Sequence, residues 1–271
     1  MKYKMLALDL DETLLNKNLS ISHRNIKAIK ESIKHGILVI LATGRMFRSA
    51  HPYALQINTN IDFPIVVYHG AVIKTVKSNK LLNYKPVPFQ EALRILQFAE
   101  DEDIHVNLYL DDRLFVKEHN KNTRYYQSIA SVEVEEVGSL LEVVKNKNQD
   151  PVKLTIIDMD EARFEQLQHR LEAEYSSRLS IMKSRPHFLE ITAREATKGQ
   201  ALAFLSRQEG ISPGEVIAIG DSYNDIDMLE YAGVGVAVDN APAEVKEAAD
   251  IITAPNTEDG VARFLEDYVF V

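Results

Sequence analysis

Short apolar runs that end in polar residues and lead into helical patterns recur at both ends of this chain, and this alternation restricts the fold more than any other feature. The first run covers Tyr3 to Asp9 and precedes a helix pattern that starts near Ser22 and stops at Gly36. The second run covers Ile37 to Ala42 and ends at Thr43-Gly44-Arg45. Strands that alternate with helices predict a parallel sheet, in which the loops at the carboxyl ends of the strands form the binding crevice.

The alternation is interrupted in the middle of the chain. Residues 71–84 have the pattern of two short strands around the turn Ser78-Asn79, and residues 86–189 mix helix patterns with strand patterns. After Thr197 the alternation of strands and helices returns. We therefore expect an α/β protein with a parallel core, residues 1–82 and 191–271, and an inserted α+β domain, residues 83–190. The stretch Lys145 to Asn148 predicts a loop.

The composition excludes several classes of protein and of site. No apolar run reaches the roughly 18 to 20 residues of a membrane helix, and the first residues lack the long apolar region of a signal peptide, so we expect a cytoplasmic protein with no membrane partner. The chain has no cysteine, so a metal must bind to oxygen or histidine ligands. Its net charge of −9 disfavours general nucleic-acid binding.

Two acids, Asp9 and Asp11, come where the first apolar run ends. Residues i and i+2 that leave a strand point the same way, so we expect the two carboxylates to share one pocket. Two anions so close repel each other. The pair is therefore explained by a hard divalent cation between them, or by one acid that stays protonated and acts as a general acid. An acidic loop or a helix cap is the alternative.

Three further segments place polar residues beyond an apolar strand or at a helix start. Thr43-Gly44-Arg45 offers a hydroxyl and backbone N–H groups that suit an anion, although Thr43 could simply cap a helix. Lys198 opens a helix and can place a charge on a phosphate oxygen. The loop Gly220 to Asp225 supplies oxygen ligands suited to magnesium, and its alternative interpretation is a plain polar turn.

In chain order, these motifs resemble those of the haloacid dehalogenase superfamily, and specifically its Cof-type phosphatases, which carry a large C2-type cap. The resemblance covers essentially the whole chain. It implies an α/β fold with a Rossmann-like parallel-sheet core and an inserted α+β cap domain that selects the substrate. It also implies a hydrolase that cleaves small phosphorylated metabolites, such as sugar phosphates, through a phospho-aspartyl intermediate with Mg²⁺ as cofactor.

The resemblance implies a role for each motif residue. Asp9 corresponds to the nucleophile and Asp11 to the general acid and base. Magnesium would be held by the side chains of Asp9 and Asp221 and by the backbone carbonyl of Asp11. The implied phosphate-binding residues are Leu10, Thr43, Gly44, Lys198 and Asn224. The supporting residues are Asp225 and Ser222, and the candidate substrate contacts are Arg45, His69 and Arg185.

Two residues depart from the family pattern. Glu12 stands where glycine is commonest, and we expect it to alter the local surface without touching the catalytic positions. His69 stands where many relatives have asparagine, so it either contacts the substrate or merely caps its loop. The alternative functions are a phosphomutase of the same superfamily and a non-enzymatic receiver or ligand-binding domain. The physiological substrate and the oligomeric state stay open.

Overall fold

The computed structural model describes residues 2–58, 61–130 and 132–270. The strands, in chain order, are β1 (Met5–Leu8), β2 (Leu38–Leu41), β3 (Pro64–Val67), β4 (Val72–Thr75), β5 (Leu81–Tyr84), β6 (Val106–Leu110), β7 (Arg113–Val116), β8 (Glu135–Glu136), β9 (Lys153–Ile157), β10 (Leu179–Arg185), β11 (Phe188–Ala193), β12 (Val216–Gly220), β13 (Val234–Val238) and β14 (Ile251–Thr253). The α-helices are α1 (His23–Lys34), α2 (Phe47–Ile57), α3 (Phe89–Asp101), α4 (Lys121–Ala130), α5 (Leu140–Lys147), α6 (Glu161–Tyr175), α7 (Lys198–Glu209), α8 (Ile226–Tyr231), α9 (Ala243–Glu247) and α10 (Gly260–Phe264).

The chain divides into two compact units. The core unit is formed by the residues up to Asn83 and those from Thr197 onward, and the inserted unit covers Tyr84–Ala196. The second boundary predicted from the sequence, after residue 190, would cut strand β11. Because β11 pairs with both β9 and β10, its last residues belong to the inserted sheet, and the boundary lies after Ala196.

A parallel sheet with the strand order β14-β13-β12-β1-β2 forms the centre of the core unit. Strand β1 lies between β12 and β2, with Met5 opposite Val216 on one side and Leu38 on the other. Every residue of β1 and β12 is buried, as expected for a parallel sheet covered on both faces. The carboxyl ends of β1, β2 and β12 therefore meet at one edge of the sheet.

The start and the end of helix α1 are determined by the local sequence. The hydroxyl of Ser22 caps the helix by accepting a hydrogen bond from the backbone N–H of Asn25. Gly36, with a φ of 81°, follows the helix and turns the chain into β2. The predicted start and stop of this helix are thus confirmed.

Strands β3, β4 and β5 form a second, small sheet in the core unit. Strands β3 and β4 pair in antiparallel fashion, and β3 also meets the chain beyond β2 through a parallel bridge between Ala42 and Val66. The turn between β4 and β5 contains Asn79, whose φ of 57° suits an asparagine. The prediction of two short strands around this turn is confirmed.

The inserted unit has its own sheet, with the strand order β10-β11-β9-β6-β7-β8, and its own apolar core. The core side chains come from one face of this sheet and from helices α3, α5 and α6. They include Ile95, Leu108, Leu141, Val144, Leu154, Phe164 and Leu189. The unit therefore has the α+β character predicted from the sequence, and the α/β fold class with an additional inserted domain is confirmed.

Helix α5 corrects the prediction of a loop over Lys145 to Asn148. The helix continues to Lys147, and Asn148 ends it with a left-handed φ of 47°. Ser139 caps the start, and Leu140, Leu141 and Val144 are its buried residues. Lys145 and Lys147 belong to the last turn of a short amphipathic helix. The apolar residues of this helix come before the polar stretch, which by its composition alone resembles a loop.

No helix among the described residues is long and apolar enough to cross a membrane.

Candidate active site

Asp9 directly follows β1 at the carboxyl edge of the core sheet. Its backbone N–H donates to the carbonyl of Ile219 in β12 at 3.0 Å, so the sheet pairing fixes its position. Its side chain is buried, with the residue only 5% exposed. The carboxylate oxygen Oδ1 accepts a hydrogen bond from Lys198 Nζ at 2.6 Å. Burial raises the pKa of Asp9 well above its usual range, although the charge of Lys198 opposes this rise.

Lys198 is the first residue of helix α7 and is completely buried. The hydroxyl of Thr197 caps the helix by accepting the N–H of Gln200, which places the lysine at the start of the first turn. Its ammonium donates to Asp9 at 2.6 Å and to Asp225 at 2.5 Å. Burial alone would lower the pKa of Lys198, but the charges of Asp225 and Asp9 outweigh it and raise the pKa. The lysine is therefore a fixed positive charge.

Asp225 organises the loop that follows β12. One of its oxygens binds Lys198, and the other accepts the backbone N–H groups of Asp221 and Ser222 at 3.1 and 3.0 Å. A Cβ atom on Gly220 would lie 2.6 Å from the Cβ of Asp225, so only glycine fits at this position. Both carboxylate oxygens of Asp225 are thus engaged by protein donors, which suits a supporting residue better than a metal ligand.

Asp221 lies in the same loop and is also buried. Its Oδ1 accepts a hydrogen bond from the hydroxyl of Thr13 at 2.7 Å. Burial, together with the nearby charge of Asp225, raises the pKa of Asp221 to about 7. The sequence alone predicts no role for Thr13, because its partner is far away in the chain and no local spacing connects the two residues.

Three buried carboxylates, those of Asp9, Asp221 and Asp225, offer oxygen atoms that all lie within 4.8 Å of one another. When the three are ionised, the single ammonium of Lys198 leaves a surplus of two negative charges, which a divalent cation would balance. The second oxygens of Asp9 and Asp221 accept no hydrogen bond from a described residue. Hard oxygen donors with unused lone pairs suit Mg²⁺, so the residues present fit this ion.

Asp11 lies in a different environment from Asp9. Its side chain is 47% exposed and is held by Arg45, which donates from Nε and Nη2 at 2.7 and 2.5 Å. The expectation of a shared pocket assumes that strand alternation continues past Asp9. Strand β1 ends at Leu8, however, and the chain then enters an irregular turn, Leu10–Leu14, in which Asp11 has an extended backbone (φ −74°, ψ 128°) and Glu12 a left-handed one (φ 60°). The regular two-residue period of a strand therefore does not fix the direction of the Asp11 side chain.

Arg45 itself is fixed from several sides. Its guanidinium lies over the ring of Tyr53, 5.2 Å from the centroid, and its backbone N–H donates to the hydroxyl of Thr43 at 3.2 Å. The resemblance suggests Arg45 as a substrate contact. In the structure its guanidinium binds Asp11 in a bidentate pair, which makes it a partner of the proposed acid and base.

Thr43 and Gly44 follow β2 at the same edge of the sheet. The backbone N–H of Thr43 donates to the carbonyl of Val66 at 2.9 Å. Helix α2 begins at Phe47, and its N-cap residue is Met46. Thr43 is therefore not the cap of this helix, and its hydroxyl accepts the backbone N–H of Arg45 instead.

His69 and Asn224 lie in contact, although they are far apart in the sequence. The distance between Nδ1 of His69 and Nδ2 of Asn224 is 3.1 Å, and the backbone N–H of His69 donates to the carbonyl of Thr43 at 3.0 Å. Sequence spacing could not reveal this pairing because separate loops carry the two residues. Asn224 and Ser222 lie in the loop after β12, and Leu10 is buried at the start of the helical turn after Asp9.

Arg185 is the one candidate substrate contact that lies in the inserted unit. It is exposed at the end of β10, opposite Phe188. The other candidate residues belong to the core unit.

Comparisons with known proteins place almost the whole chain in a family. A family model described as haloacid dehalogenase-like hydrolase matches residues 6–265. A protein of Haemophilus influenzae named "Putative phosphatase" is 34% identical over 98% of both chains. The 5-amino-6-(5-phospho-D-ribitylamino)uracil phosphatase YwtE of Bacillus subtilis is 30% identical over 97% of both chains. The crystal structure of TM0651 from Thermotoga maritima has a TM-score of 0.90 and 31% identity, covering 99% of this chain and 98% of that one.

Proposed function

Because the chain belongs to the haloacid dehalogenase-like hydrolase family, we propose that it is a magnesium-dependent phosphatase that acts through a phospho-aspartyl intermediate on Asp9. The family predicted from the motifs is confirmed, and membership makes the chain an enzyme of the phosphatase group. A receiver-like binding domain does not fit membership in a hydrolase family.

The observation that carries the proposal is the buried cluster of Asp9, Asp221 and Asp225 around Lys198. Its surplus of negative charge is costly to bury without a counter-ion, and it would repel a phosphate group. The side chains of Asp9 and Asp221 and the carbonyl of Asp11 would hold Mg²⁺. When bound, the ion offsets the repulsion between carboxylate and phosphate and stabilises charge on the phosphoryl oxygens.

In the first step, a carboxylate oxygen of Asp9 attacks phosphorus in line and the bond from phosphorus to the ester oxygen breaks. Asp11 donates a proton to the departing oxygen, so that the product leaves as a neutral alcohol. Lys198 holds its positive charge beside the nucleophile, where it stabilises the carboxylate form of Asp9 and the transferred phosphoryl group.

In the second step, Asp11, now a carboxylate, takes a proton from water. The resulting hydroxide attacks phosphorus, and the bond from phosphorus to Asp9 breaks, which yields inorganic phosphate and the free carboxylate. Thr43, Gly44 and Asn224 are proposed to hold the phosphate oxygens through both steps. One water molecule is consumed for each ester cleaved.

The proposed substrates are small phosphorylated metabolites, such as sugar phosphates. The name of YwtE, a relative, describes a phosphatase for a phosphorylated ribityl compound, which supports this class. A phosphomutase would use the same nucleophile but return the phosphoryl group to a substrate, so it would require a bisphosphate for priming.

The proposal is tested with p-nitrophenyl phosphate and a panel of sugar phosphates, with and without Mg²⁺. We expect turnover that depends on Mg²⁺, and we expect Asp9→Asn to lower kcat by at least about 1,000-fold. Asp239→Asn, which changes an exposed acid of the core unit, is the matched control and should retain activity. Full activity in Asp9→Asn would reject the nucleophile, and the absence of metal-dependent turnover on every substrate would reject the phosphatase.

A further inference from the structure

The imidazole of His69 lies between two of the proposed phosphate-binding residues. Its Nδ1 is 3.1 Å from Nδ2 of Asn224. On the other side, a Cβ atom added to Gly44 would lie 2.3 Å from Cε1 and 2.6 Å from Nε2 of the same ring. The ring therefore occupies the space beside Gly44, and it connects the loop after β2 with the loop after β12.

The backbone holds this imidazole in place. Tyr68 and His69 have left-handed φ values of 51° and 59°, which are uncommon for residues with side chains. The N–H of Tyr68 donates to the carbonyl of Arg45 at 2.9 Å, and the N–H of His69 donates to the carbonyl of Thr43 at 3.0 Å. These two hydrogen bonds tie the turn to the loop after β2, so the backbone that carries the ring is fixed relative to Gly44.

The amide of Asn224 can lie in either of two orientations, because its oxygen and nitrogen differ little in shape. With Nδ2 facing His69, the buried Oδ1 has no hydrogen-bond partner among the described residues. If the amide turns over, Nδ1–H of His69 donates to Oδ1, and Nδ2 takes the position without a partner. An amide nitrogen there is a donor, and a phosphate dianion only accepts hydrogen bonds.

We propose that His69 is a positioning residue of the phosphate pocket, which donates from Nδ1 to Asn224 Oδ1 and thereby turns the Asn224 amide so that its nitrogen binds a phosphate oxygen. This inference rests on the proposed function and adds a determinant of phosphate affinity to it. The ring also keeps Gly44 and Asn224 at a fixed separation, since it contacts both.

The test measures the affinity for inorganic phosphate by calorimetry in the presence of Mg²⁺. In His69→Asn, the side-chain amide lies near the position of Nδ1, whereas the amide of His69→Gln reaches the position of Nε2. We expect the affinity of His69→Asn for phosphate to be within about twofold of that of the wild type. We expect His69→Gln and His69→Ala to bind phosphate about 10-fold more weakly, because the hydrogen bond from the Asn224 amide to the charged phosphate is lost. KM for p-nitrophenyl phosphate should rise in parallel, with a smaller change in kcat.

A double-mutant cycle separates positioning from simple packing. If His69 acts through Asn224, the loss of affinity in Asn224→Ala should not increase further when His69→Ala is added. Additive losses, or equal affinities in the Asn and Gln variants, would overturn the inference. If the wild type neither binds phosphate nor turns over esters, the proposed function is overturned together with the inference. This result differs from an active wild type whose His69 variants bind phosphate normally, which would overturn the inference alone.

Imidazole ¹⁵N NMR of the wild type provides a measurement that needs no variant. At a pH where the ring is neutral, we expect the proton of His69 on Nδ1. A neutral ring with its proton on Nε2 would contradict the proposed donation to Asn224.

Discussion

At the scale of single residues, a buried carboxylate and a buried ammonium from distant parts of the chain meet in the candidate active site. Asp9 and Lys198 are 189 residues apart and form a direct ion pair. The sequence predicts both as residues of one site, because Asp9 follows an apolar strand and Lys198 is at the start of a helix. The surroundings of Asp11 could not be predicted, since its orientation depends on an irregular turn after β1 that has no periodic sequence pattern. The sequence does not reveal Thr13 either, because its partner Asp221 is 208 residues away and no local spacing connects the two.

Glu12 leads to a prediction about stability. It is exposed and adopts a left-handed φ of 60°, which glycine adopts without strain. We expect Glu12→Gly to raise the free energy of unfolding by about 0.5–1 kcal/mol, since relief of the strain outweighs the greater freedom of glycine in the unfolded chain. Urea denaturation measures the change. Glu12→Ala is the control, because alanine keeps the strain and should bring no such gain.

The bidentate pair of Arg45 with Asp11 leads to a prediction about activity. Lysine cannot reproduce two parallel hydrogen bonds, so Arg45→Lys should leave Asp11 less well oriented. We expect kcat on p-nitrophenyl phosphate to fall about 10-fold, with a smaller change in KM. Arg207→Lys in the last turn of α7 is the control. Unchanged kcat in Arg45→Lys would mean that the pair does not orient Asp11 for catalysis.

At the scale of elements, the helices and strands with a clear period were predicted and the short polar elements were not. Helix α6, Glu161–Tyr175, has a clear helical pattern, because its buried residues Phe164, Leu167 and Leu171 recur along one face. Helix α5 was missed because it is short and ends in lysines and asparagines. Strand β11 was cut by the predicted domain boundary, since its pairing with β9 is a tertiary contact that local sequence does not contain.

The turn before β12 leads to a prediction about pH. Glu215 binds the ammonium of Lys4 at 2.7 Å and accepts hydrogen bonds from Ser212, which together lower the pKa of Glu215 from 4.5 to about 2. A lowered acid pKa stabilises the folded state above pH 4.5, and this contribution is lost as the pH falls through about 2.

The variant Glu215→Gln cannot make this contribution at any pH. We expect its urea midpoint to lie below that of the wild type at about pH 6, and the difference to shrink steadily below pH 4.5. The matched control is Glu230→Gln, which changes an exposed glutamate of the core unit. A difference between Glu215→Gln and wild type that is the same at every pH would contradict the lowered pKa.

At the scale of the whole molecule, the chain forms two compact units. The sequence of the inserted unit interrupts that of the core unit. The alternation of strands and helices was sufficient to predict this organisation, because it stops and later returns. The boundaries could be predicted only approximately, since they depend on which sheet each strand joins.

The inserted unit leads to a prediction about autonomous folding. Residues 84–196 have an apolar core of their own, so we expect this fragment to unfold cooperatively in urea. The matched control is the fragment 84–190, which ends at the boundary predicted from the sequence. It lacks the last residues of β11 and should unfold at a lower urea concentration. Equal midpoints would mean that these residues add nothing to the stability of the unit.

The pairing of β1 with β12 has a consequence for how the protein is made on the ribosome. The proposed nucleophile Asp9 is synthesised before the inserted unit, but β12 and Asp221 follow only after the whole of that unit. At about 5–20 residues per second, roughly 10 to 40 seconds separate Asp9 from Asp221. The nascent chain therefore carries an incomplete acidic cluster while the inserted unit is synthesised, and activity can begin only when the chain beyond the inserted unit has emerged.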